Sequence, residues 1–489
     1  MSTTQLCFVV LGAPIAGACL VAALRGRLCE KIAVVFSFGT LIAGLFAIRA
    51  FITGQVIPTG FEVELSRLPW LPATRNFLGF LLDPLTALML LVITLIGFLV
   101  VLYSVNYMSP NNAEHPTTDG KGRYYFWMLF FIGSMVGVAL SPNFFQLFIF
   151  WELTTLCSWA LISQYQDEEK AVRAGYKALI MTHVGGLFLM TAIVLVFINT
   201  RSFEFTALNL LPDGLKNTVI LLIMVAAWAK AAQVPFYTWL PDAMEAPTPV
   251  SAYLHGAAMV KAGIYLVART VVSAYSIDYS LGLVLAIMAM LTLAVGVFLF
   301  FFQDDLKRLL ALSTITHLAY ILLAFALYIF GSYTAFTGGL LHIAAHATGK
   351  GLLFLSVGAL SYFTGTRKMS ELRGALTRFP IIALGFFIGA FTVTGVPPFA
   401  GFWSKFYIIT GALSLGGVGS LFGVLLLLES VVAFGWFLWV GQKIFLGEPS
   451  PAVARAHGDA PAITIVLVVL MILCLVIPVI ALPIIQWIR

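Results

Sequence analysis

Charged side chains in the middle of apolar segments are the residues of this chain that could do chemistry. Lys230 and Lys261 are each a single ammonium group in an apolar run, and Glu152 is a lone carboxylate in FIFWELTTLCSW. A charge inside a bilayer costs roughly 3 kcal/mol on insertion scales. We predict that Glu152 pairs with Lys230 and that such tuned groups exchange protons. The alternatives are a structural ion pair for Glu152 and lysines that reach the membrane surface.

Histidines extend this set of groups. His255 lies between the two lysines and could relay protons through water, or it could be a satisfied core residue. His317 lies in the apolar stretch LSTITHLAY. In LLHIAAHATGKGLLF, His342, His346 and Lys350 recur at i, i+4 and i+8, which places them on one helix face. HxxxH can also bind zinc, but no third ligand or catalytic glutamate is in phase, so the pattern favours a proton wire.

Three further ionisable residues are candidates. Lys405 lies in GFWSK and would end the path. Glu429 lies in the next apolar segment and could pair with Lys405 or with another subunit. His183 is in the middle of an apolar segment and could tune the Glu152–Lys230 pair, although core packing is an equal alternative.

Prolines interrupt two of the apolar segments close to a lysine. Pro235 follows Lys230 in AKAAQVPFYTWLPD, and Pro397 and Pro398 precede Lys405 in GVPPFAGFWSK. Backbone breaks at membrane depth are tolerated only where protein or a water-filled cavity covers them. Two broken helices at matching places predict two inverted repeats of about five helices each, with an ion path at the breaks.

The composition excludes a soluble globular domain. The 489 residues are 61% hydrophobic and only 10% charged, with a mean hydropathy of +1.01, which is typical of an all-α polytopic membrane protein. The first segment lacks a basic region and a cleavage site, so we expect it to be a retained helix. We predict 14 transmembrane segments, near 5–24, 31–52, 80–105, 123–140, 142–164, 172–198, 216–240 (broken), 248–269, 279–302, 306–330, 333–363, 379–413 (broken), 417–446 and 461–486.

The distribution of basic residues predicts the orientation. If the N-terminus is outside, 16 of the 27 lysines and arginines lie in inner loops, 7 lie outside and 4 lie within segments. The positive-inside rule therefore places both termini outside a bacterial or archaeal cytoplasmic membrane.

The loops and the breaks suggest four regions. Residues 1–122 hold three helices and an outer loop (53–79) that could form a β-hairpin around Phe61–Leu65. Residues 123–270 and 279–446 would be the two repeats, and 447–489 a linker with the last helix. The sequence contains no nucleotide-binding or zinc-protease motif, and its five cysteines show no paired spacing.

Four motifs together resemble a known family. FWELTTLCSW, PFYTWLPDAMEAPTPVSAYLH, LLHIAAHATGKGLLFL and GVPPFAGFWSK are similar to the antiporter-like subunits of respiratory complex I, multisubunit cation/proton antiporters and membrane-bound energy-converting hydrogenases. The resemblance implies 14 helices in two inverted repeats, broken helices seven and twelve, and a central polar axis that carries protons. It also implies no cofactor in this chain, with iron–sulfur, flavin or nickel–iron centres in a peripheral redox arm formed by partner subunits.

The resemblance assigns roles to matching residues. Glu152 and Lys230 would be the ion pair of the first half, and His255 and Lys261 its inner relay. The remaining histidines and Lys350 would lead to Lys405, the terminal lysine. Because the sequence stops soon after its last apolar segment, the resemblance favours a middle-type subunit, or one from a hydrogenase or antiporter assembly, over the longest distal subunit.

Three functions follow as hypotheses. The first is a proton-translocating subunit of a redox-driven complex, without a catalytic site of its own. The second is a subunit of a sodium/proton antiporter, which would need an oxygen-rich site that the few acids in the segments make hard to build. The third is a membrane enzyme with a histidine-ligated metal or a quinone pocket.

Overall fold

The computed structural model describes residues 3–24, 27–52, 59–61 and 78–488. Its α-helices are α1 (Thr3–Ala22), α2 (Arg27–Ile52), α3 (Pro84–Tyr107), α4 (Lys121–Leu140), α5 (Phe144–Ile162), α6 (Glu169–Thr200), α7 (Asp213–Lys230), α8 (Trp239–Asp242), α9 (Thr248–Gly256), α10 (Met259–Ser273), α11 (Tyr279–Phe300), α12 (Leu306–Ile329), α13 (Tyr333–Thr364), α14 (Pro380–Thr394), α15 (Ala400–Leu413), α16 (Gly417–Phe445), α17 (Pro451–Arg455) and α18 (Pro461–Ile485). Strands β1 (Thr59–Phe61) and β2 (Leu78–Phe80) pair antiparallel. The rest of the predicted hairpin loop lies outside the described residues.

Most of these helices can cross a bilayer. Within the described ranges, twelve helical stretches are long and apolar enough, with α9 and α10 counted as one stretch, Thr248–Ser273. The interrupted segments α7–α8 and α14–α15 are not among the twelve. The all-α, multi-pass prediction is therefore confirmed, while the count of 14 depends on these two broken segments and stays a prediction.

Three helical stretches occupy the centre of the protein. The most apolar windows of Thr248–Ser273, α12 and α13 are completely buried inside the protein. Helix α13 packs against α3, α9, α12, α14, α15 and α18. A polar side chain in a membrane helix is stable only where it faces protein or water. The central helices can therefore carry the histidines and lysines that helices at the lipid boundary could not.

Both predicted helix breaks are present. Helix α7 ends at Lys230, and a short 3₁₀ turn (Phe236–Thr238) follows Pro235 before α8. The indole Nε1 of Trp239 donates to the carbonyl oxygen of Ala229 at 3.0 Å, which satisfies a carbonyl at the end of α7. Helix α14 ends in the left-handed Gly395 (φ 91°), and Pro397–Pro398 separate it from α15.

A third break was not predicted. The single helix expected over 248–269 is wrong, because the backbone leaves the helical conformation at Ala257 and Ala258, between α9 and α10. Gly256, a weak helix former, precedes this break and approaches Ala347 of α13 so closely that a Cβ would lie 3.3 Å from its carbonyl oxygen. As a result, His255 and Lys261 lie on separate helices.

Ion pairs hold the loops at the two ends of the bundle. At one end Asp83 caps α3 by accepting a hydrogen bond from the Thr86 amide at 2.8 Å, and it also pairs with Arg269 at the end of α10. Burial would raise the pKa of Asp83, but the charge and hydrogen bonds of Arg269 outweigh it and keep this pKa below its usual range. The Asp83–Arg269 pair therefore ties α3 to α10.

The other end of the bundle is organised around Arg367, in the link between α13 and α14. Its guanidinium lies 2.6 Å from Asp305, 2.9 Å from Glu245 and 3.6 Å from Glu114. Burial alone would lower the pKa of Arg367, but these three carboxylates raise it above its usual range. Arg367 thus joins the broken segment after α7 to the start of α12.

Candidate functional site

Lys230 is held by neutral acceptors. Its Nζ, fully buried, donates to the carbonyl oxygen of Trp151 at 2.8 Å and to Oγ1 of Thr155 at 2.5 Å. The Nζ also lies 4.8 Å from the centre of the Trp151 ring, within range of a cation–π contact. The ammonium group is therefore solvated by one face of α5.

The predicted direct pair between Glu152 and Lys230 is wrong. Oε2 of Glu152 lies 2.9 Å from Nδ1 of His183 on α6, and the described ion pairs include none between Glu152 and Lys230. The reason is the direction of the side chains: α5 turns Thr155 toward α7 but turns Glu152 toward α6. The side chain of His183 is 54% exposed and that of Glu152 is 25% exposed, so this pair lies at the edge of the chain.

Lys261 directly contacts the stripe on one face of α13, which consists of His342, His346 and Lys350. Its Nζ lies 3.0 Å from Nδ1 of His346, which joins α10 to α13. The His346 ring is 5.6 Å from the ring of His317, centre to centre. His317 Nδ1 in turn lies 3.2 Å from Nε2 of His342. All four side chains are buried, so a linked set of proton donors and acceptors crosses the centre of the protein.

The histidine pair continues to α15. Nδ1 of His342 lies 2.8 Å from Oγ of Ser404, the residue directly before Lys405. A hydroxyl can donate one hydrogen bond while it accepts another, which is the property that a relay needs. The structure therefore brings the stripe on α13 to within one residue of the predicted terminal lysine.

Among the described residues, Lys350 and His255, like Lys230, have no hydrogen bond to another predicted member. Lys350 lies on the stripe, but its Nζ donates to Oγ of Ser313 at 2.6 Å and to the carbonyl oxygen of Leu310 at 3.2 Å. The ring of His255 lies 4.6 Å from that of Phe354, centre to centre, at a tilt of 34°, and neither of its ring nitrogens has a partner among the described residues. The spacing predicted that His342, His346 and Lys350 share one helix face, and both His342 and Lys350 contact α12. Among the described residues, His255 has no hydrogen bond to either lysine.

Lys405 has a buried acid beside it. Its Nζ lies 3.5 Å from Oε2 of Glu429 on α16 and 3.0 Å from Oγ of Ser430. The Tyr320 hydroxyl donates to the same Oε2 of Glu429, and its ring lies 4.5 Å from the Lys405 ammonium. Of the two partners that the sequence left open for Glu429, the described chain supplies Lys405.

The residues that sequence reasoning missed are hydroxyls. Four hydroxyl groups each contact a predicted charged or histidine side chain: those of Thr155, Ser404, Tyr320 and Ser430. A signal was present, because Ser404 and Ser430 are sequence neighbours of Lys405 and Glu429, and Tyr320 follows His317 by one turn. A search for hydroxyl side chains next to ionisable residues in the apolar segments would have identified them.

The histidines do not converge on a metal position. In the parts of the chain that the structure describes, no group of three or more histidine, cysteine, aspartate or glutamate side chains is placed to hold a metal ion. Zinc sites usually need at least three protein ligands. The observed contacts join histidines in sequence along a row, which suits proton transfer between neighbours.

Comparison with known families gives two matches. The family described as "NADH:quinone oxidoreductase/Mrp antiporter, TM" matches residues 141–433. The family described as "NADH-Ubiquinone oxidoreductase (complex I), chain 5 N-terminus" matches residues 70–124. The first match includes every candidate site residue, from Glu152 to Glu429.

Curated relatives are similar over most of this chain. Na(+)/H(+) antiporter subunit A1 of Staphylococcus haemolyticus is 37% identical over 418 residues, which cover 80% of this chain and 51% of the relative. Subunit A1 of Staphylococcus aureus is 36% identical over 410 residues, which cover 79% of this chain and 50% of the relative. The chain thus spans about half the length of these relatives.

Two solved structures are also similar. A chain in the Mrp complex of Dietzia sp. superposes with a TM-score of 0.81 at 29% identity, over 98% of this chain and 50% of that one. A chain in the membrane-bound sulfane sulfur reductase, an archaeal respiratory membrane complex, gives a TM-score of 0.83 at 25% identity. This second match covers 99% of this chain and 96% of the other.

Proposed function

Because this chain belongs to the NADH:quinone oxidoreductase/Mrp antiporter membrane family, we propose that it is a proton-translocating subunit of a larger membrane complex. The observation that carries the proposal is the buried row from Lys261 through His346, His317 and His342 to Ser404, in which neighbouring polar atoms lie 2.8 to 3.2 Å apart except at the ring contact of His346 with His317. A row of ionisable groups inside a membrane protein is expensive and typically marks an ion or proton path.

Lys230 and Lys405 would be the two ends of this row. Lys230 rests on the Trp151 carbonyl and on Thr155, and Lys405 rests on Glu429 and Ser430. Both lysines stand next to a broken helix, where backbone carbonyls are free to bind cations and small shifts of the backbone are possible. Protons would be exchanged at these ends and passed through the histidines between them.

Water would complete the first part of the row. In the part of the sequence from Lys230 to Lys261, the buried polar atoms without a partner among the described residues include Oε1 of Gln233, Oγ of Ser251 and both ring nitrogens of His255. Buried polar groups are almost always hydrogen-bonded, and ordered water bridges those that protein groups do not reach. His255 would then act through water, as the sequence first suggested.

We place this subunit in a redox-driven complex of a bacterial or archaeal cytoplasmic membrane, with both termini outside. The end-to-end match with a chain of an archaeal respiratory membrane complex supports this choice. Iron–sulfur, flavin or nickel–iron centres would belong to partner subunits, and the regions 123–270 and 279–446 would be inverted repeats. Mass spectrometry of the complex purified with this chain in mild detergent tests the assembly, since redox subunits are expected and their absence contradicts it.

The second candidate is a subunit of a sodium/proton antiporter. Its specific support is that the Staphylococcus relatives, at 36% and 37% identity, carry that name. In that case the same mass-spectrometric experiment would find other small membrane subunits and no redox subunits. The proton row would be used in either assembly.

Proton transport by variants tests the row itself. We expect Lys230→Ala and Glu152→Gln, in the purified complex reconstituted into liposomes, each to lower the initial rate of proton transport at least about tenfold, which is about 1.4 kcal/mol in activation free energy. Lys368→Ala removes an exposed lysine that pairs with Glu371, outside the row, and serves as the control. Unchanged transport in both test variants would contradict the proposal.

A further inference from the structure

A cavity of about 710 Å³ lies at the end of the bundle where α16 ends and α17 begins. Its wall combines residues 369–373, from the link between α13 and α14, with Lys443 in the last turn of α16 and residues 450–452 at the start of α17. Arg373 and Lys443 are both exposed, so the cavity reaches the surface of the protein. None of its lining residues belongs to the row.

Two cations of this cavity have no carboxylate partner. Nε of Arg373 donates to the backbone carbonyl oxygen of Glu448 at 3.2 Å, and the ammonium group of Lys443 lies over an aromatic ring. Among the described residues, neither cation forms an ion pair. The Glu371 carboxylate also lines the cavity, but it pairs with Lys368 at 3.0 Å. The cavity therefore carries an excess of positive charge, which favours an anionic ligand.

The two cations are suited to a phosphate group. Arginine binds phosphate oxygens through two parallel hydrogen bonds, and lysine adds a point charge. In the described chain only Nε of Arg373 has a protein acceptor, so its two terminal nitrogens are available to a ligand. The Ser370 hydroxyl donates to Asp304 at 2.6 Å, and the Ser450 hydroxyl donates to a backbone carbonyl at 2.8 Å. The cations are thus the main groups of the wall left to bind an anion.

Aromatic side chains continue from the cavity along the outside of α16. Nζ of Lys443 lies 5.0 Å from the centre of the Trp439 ring, which stacks on Trp436 at 4.6 Å. Trp436 meets Phe301, directly after α11, edge to face at 4.8 Å. Both α11 and α16 are long and apolar enough to cross a bilayer. Because tryptophan is enriched where membrane helices leave the hydrocarbon layer, the cavity lies at the depth of the lipid headgroups.

From Trp439 toward its middle, α16 presents an apolar face to the surroundings. Leu428 and Val432 are exposed on this face, and a Cβ on Gly435 would have no atom within 4 Å, so there is open space one turn from Trp439. The helix from Lys443 to Leu428 is about 22 Å long. A bilayer leaflet has a hydrocarbon thickness of about 15 Å, half that of the whole core. The face is therefore long enough to line an acyl chain.

We propose that this cavity binds an anionic phospholipid, with its phosphate between Arg373 and Lys443 and its acyl chains along the exposed face of α16. A free phosphate would use the two cations but not the aromatic and apolar surface that continues from them. A zwitterionic phospholipid would bring a third cation to a site that already has two. The inference does not depend on which ion the subunit carries, so its failure would leave the proposed function unaffected.

Lipid binding by the purified complex tests the proposal. The complex is delipidated in mild detergent and titrated with phosphatidylglycerol, or with phosphatidylcholine of the same acyl chains, and bound lipids are counted by native mass spectrometry. We expect Arg373→Ala and Lys443→Ala each to lower the affinity of this site for phosphatidylglycerol about fivefold, because one basic residue near a membrane surface contributes about that factor. The double variant should retain one phosphatidylglycerol fewer than the wild type.

Two further variants separate the site from general damage. Lys443→Arg keeps the positive charge, and Arg378→Ala removes an exposed arginine of the same link that does not line the cavity, so both should bind lipid like the wild type. Unchanged phosphatidylglycerol binding in the double variant, with an intact complex by gel filtration, would overturn the proposal. Equal binding of phosphatidylcholine at this site would also overturn it, as would complete displacement of the lipid by inorganic phosphate. Lipid loss in Lys443→Arg or Arg378→Ala as large as in the double variant would argue against it in the same way.

Discussion

Replacement of His346 is the most direct test of the row, because Lys261 is connected to His317 and His342 through this residue. Nδ1 of His346 is the hydrogen-bond partner of the Lys261 ammonium group at 3.0 Å, and its ring faces His317 at 5.6 Å. In the described part of the chain, no other side chain forms a hydrogen bond that connects Lys261 with the histidine pair. His346→Leu fills a similar volume but leaves the ammonium group without its acceptor.

The expected size of the effect follows from that contact. A hydrogen bond to a charged group contributes about 1.5 to 3 kcal/mol. If a proton leaving or reaching Lys261 must cross a barrier raised by this amount, the transport rate falls about 10- to 150-fold, since each 1.36 kcal/mol is a factor of ten. His346→Gln separates two roles of the residue, because an amide can accept from Lys261 but cannot carry a proton. It should preserve stability and still block transport.

The assay is proton uptake by liposomes that contain the purified complex and an enclosed pH-sensitive dye, driven by an imposed membrane potential. His457→Leu is a matched control, because His457 is exposed and its hydrogen bond among the described residues is with the Arg455 carbonyl in the link between α16 and α18. We expect the wild-type rate from this control and slow uptake from both His346 variants. Wild-type uptake by His346→Leu would refute the reasoning, since protons would then pass without the histidine.

Two further predictions concern the ends of the bundle. Arg367→Met breaks the ion pairs with Glu245 and Asp305 and should lower the free energy of unfolding by about 3 kcal/mol, measured by thermal unfolding in detergent. Lys368→Met breaks an exposed ion pair and should lower it by less than about 1 kcal/mol. Equal losses in the two variants would contradict this prediction. The pKa of Asp83 is lowered in the folded protein, so its ion pair stabilises above the usual aspartate pKa, and this contribution is lost as the pH falls through the lowered value. Asp83→Asn should remove that acid-dependent part of the unfolding temperature, and an unchanged acid profile would argue against the pair.

The sequence predicted well those features in which polar or helix-breaking residues interrupt an apolar segment. Three prolines near two lysines predicted breaks after α7 and α14, and both breaks are present. The spacing of His342 and His346 predicted one helix face, and that face lies against α12. These predictions succeed because the cost of charge and broken backbone in a membrane leaves few arrangements open.

The features that the sequence missed depend on how neighbouring helices are rotated. Glu152 and Thr155 are one turn apart, and the sequence does not tell which of them faces Lys230; the structure turns Thr155 toward it. The break after Gly256 also depends on tertiary packing, since it lets α9 approach α13. Hydroxyl partners such as Tyr320 are common residues, and only the contact identifies them.

The ammonium groups at the two ends of the row, Lys230 and Lys405, are stabilised by different kinds of partner, and this difference affects how protons would move along the row. Lys230 is solvated by a carbonyl and a hydroxyl, whereas Lys405 faces the carboxylate of Glu429. A carboxylate stabilises an ammonium group more than neutral oxygens do, so this arrangement favours positive charge at the Lys405 end. A cycle must at some point reverse that preference. Glu152 is suited to do so, because it could leave the half-exposed His183 for Lys230 without breaking a buried ion pair.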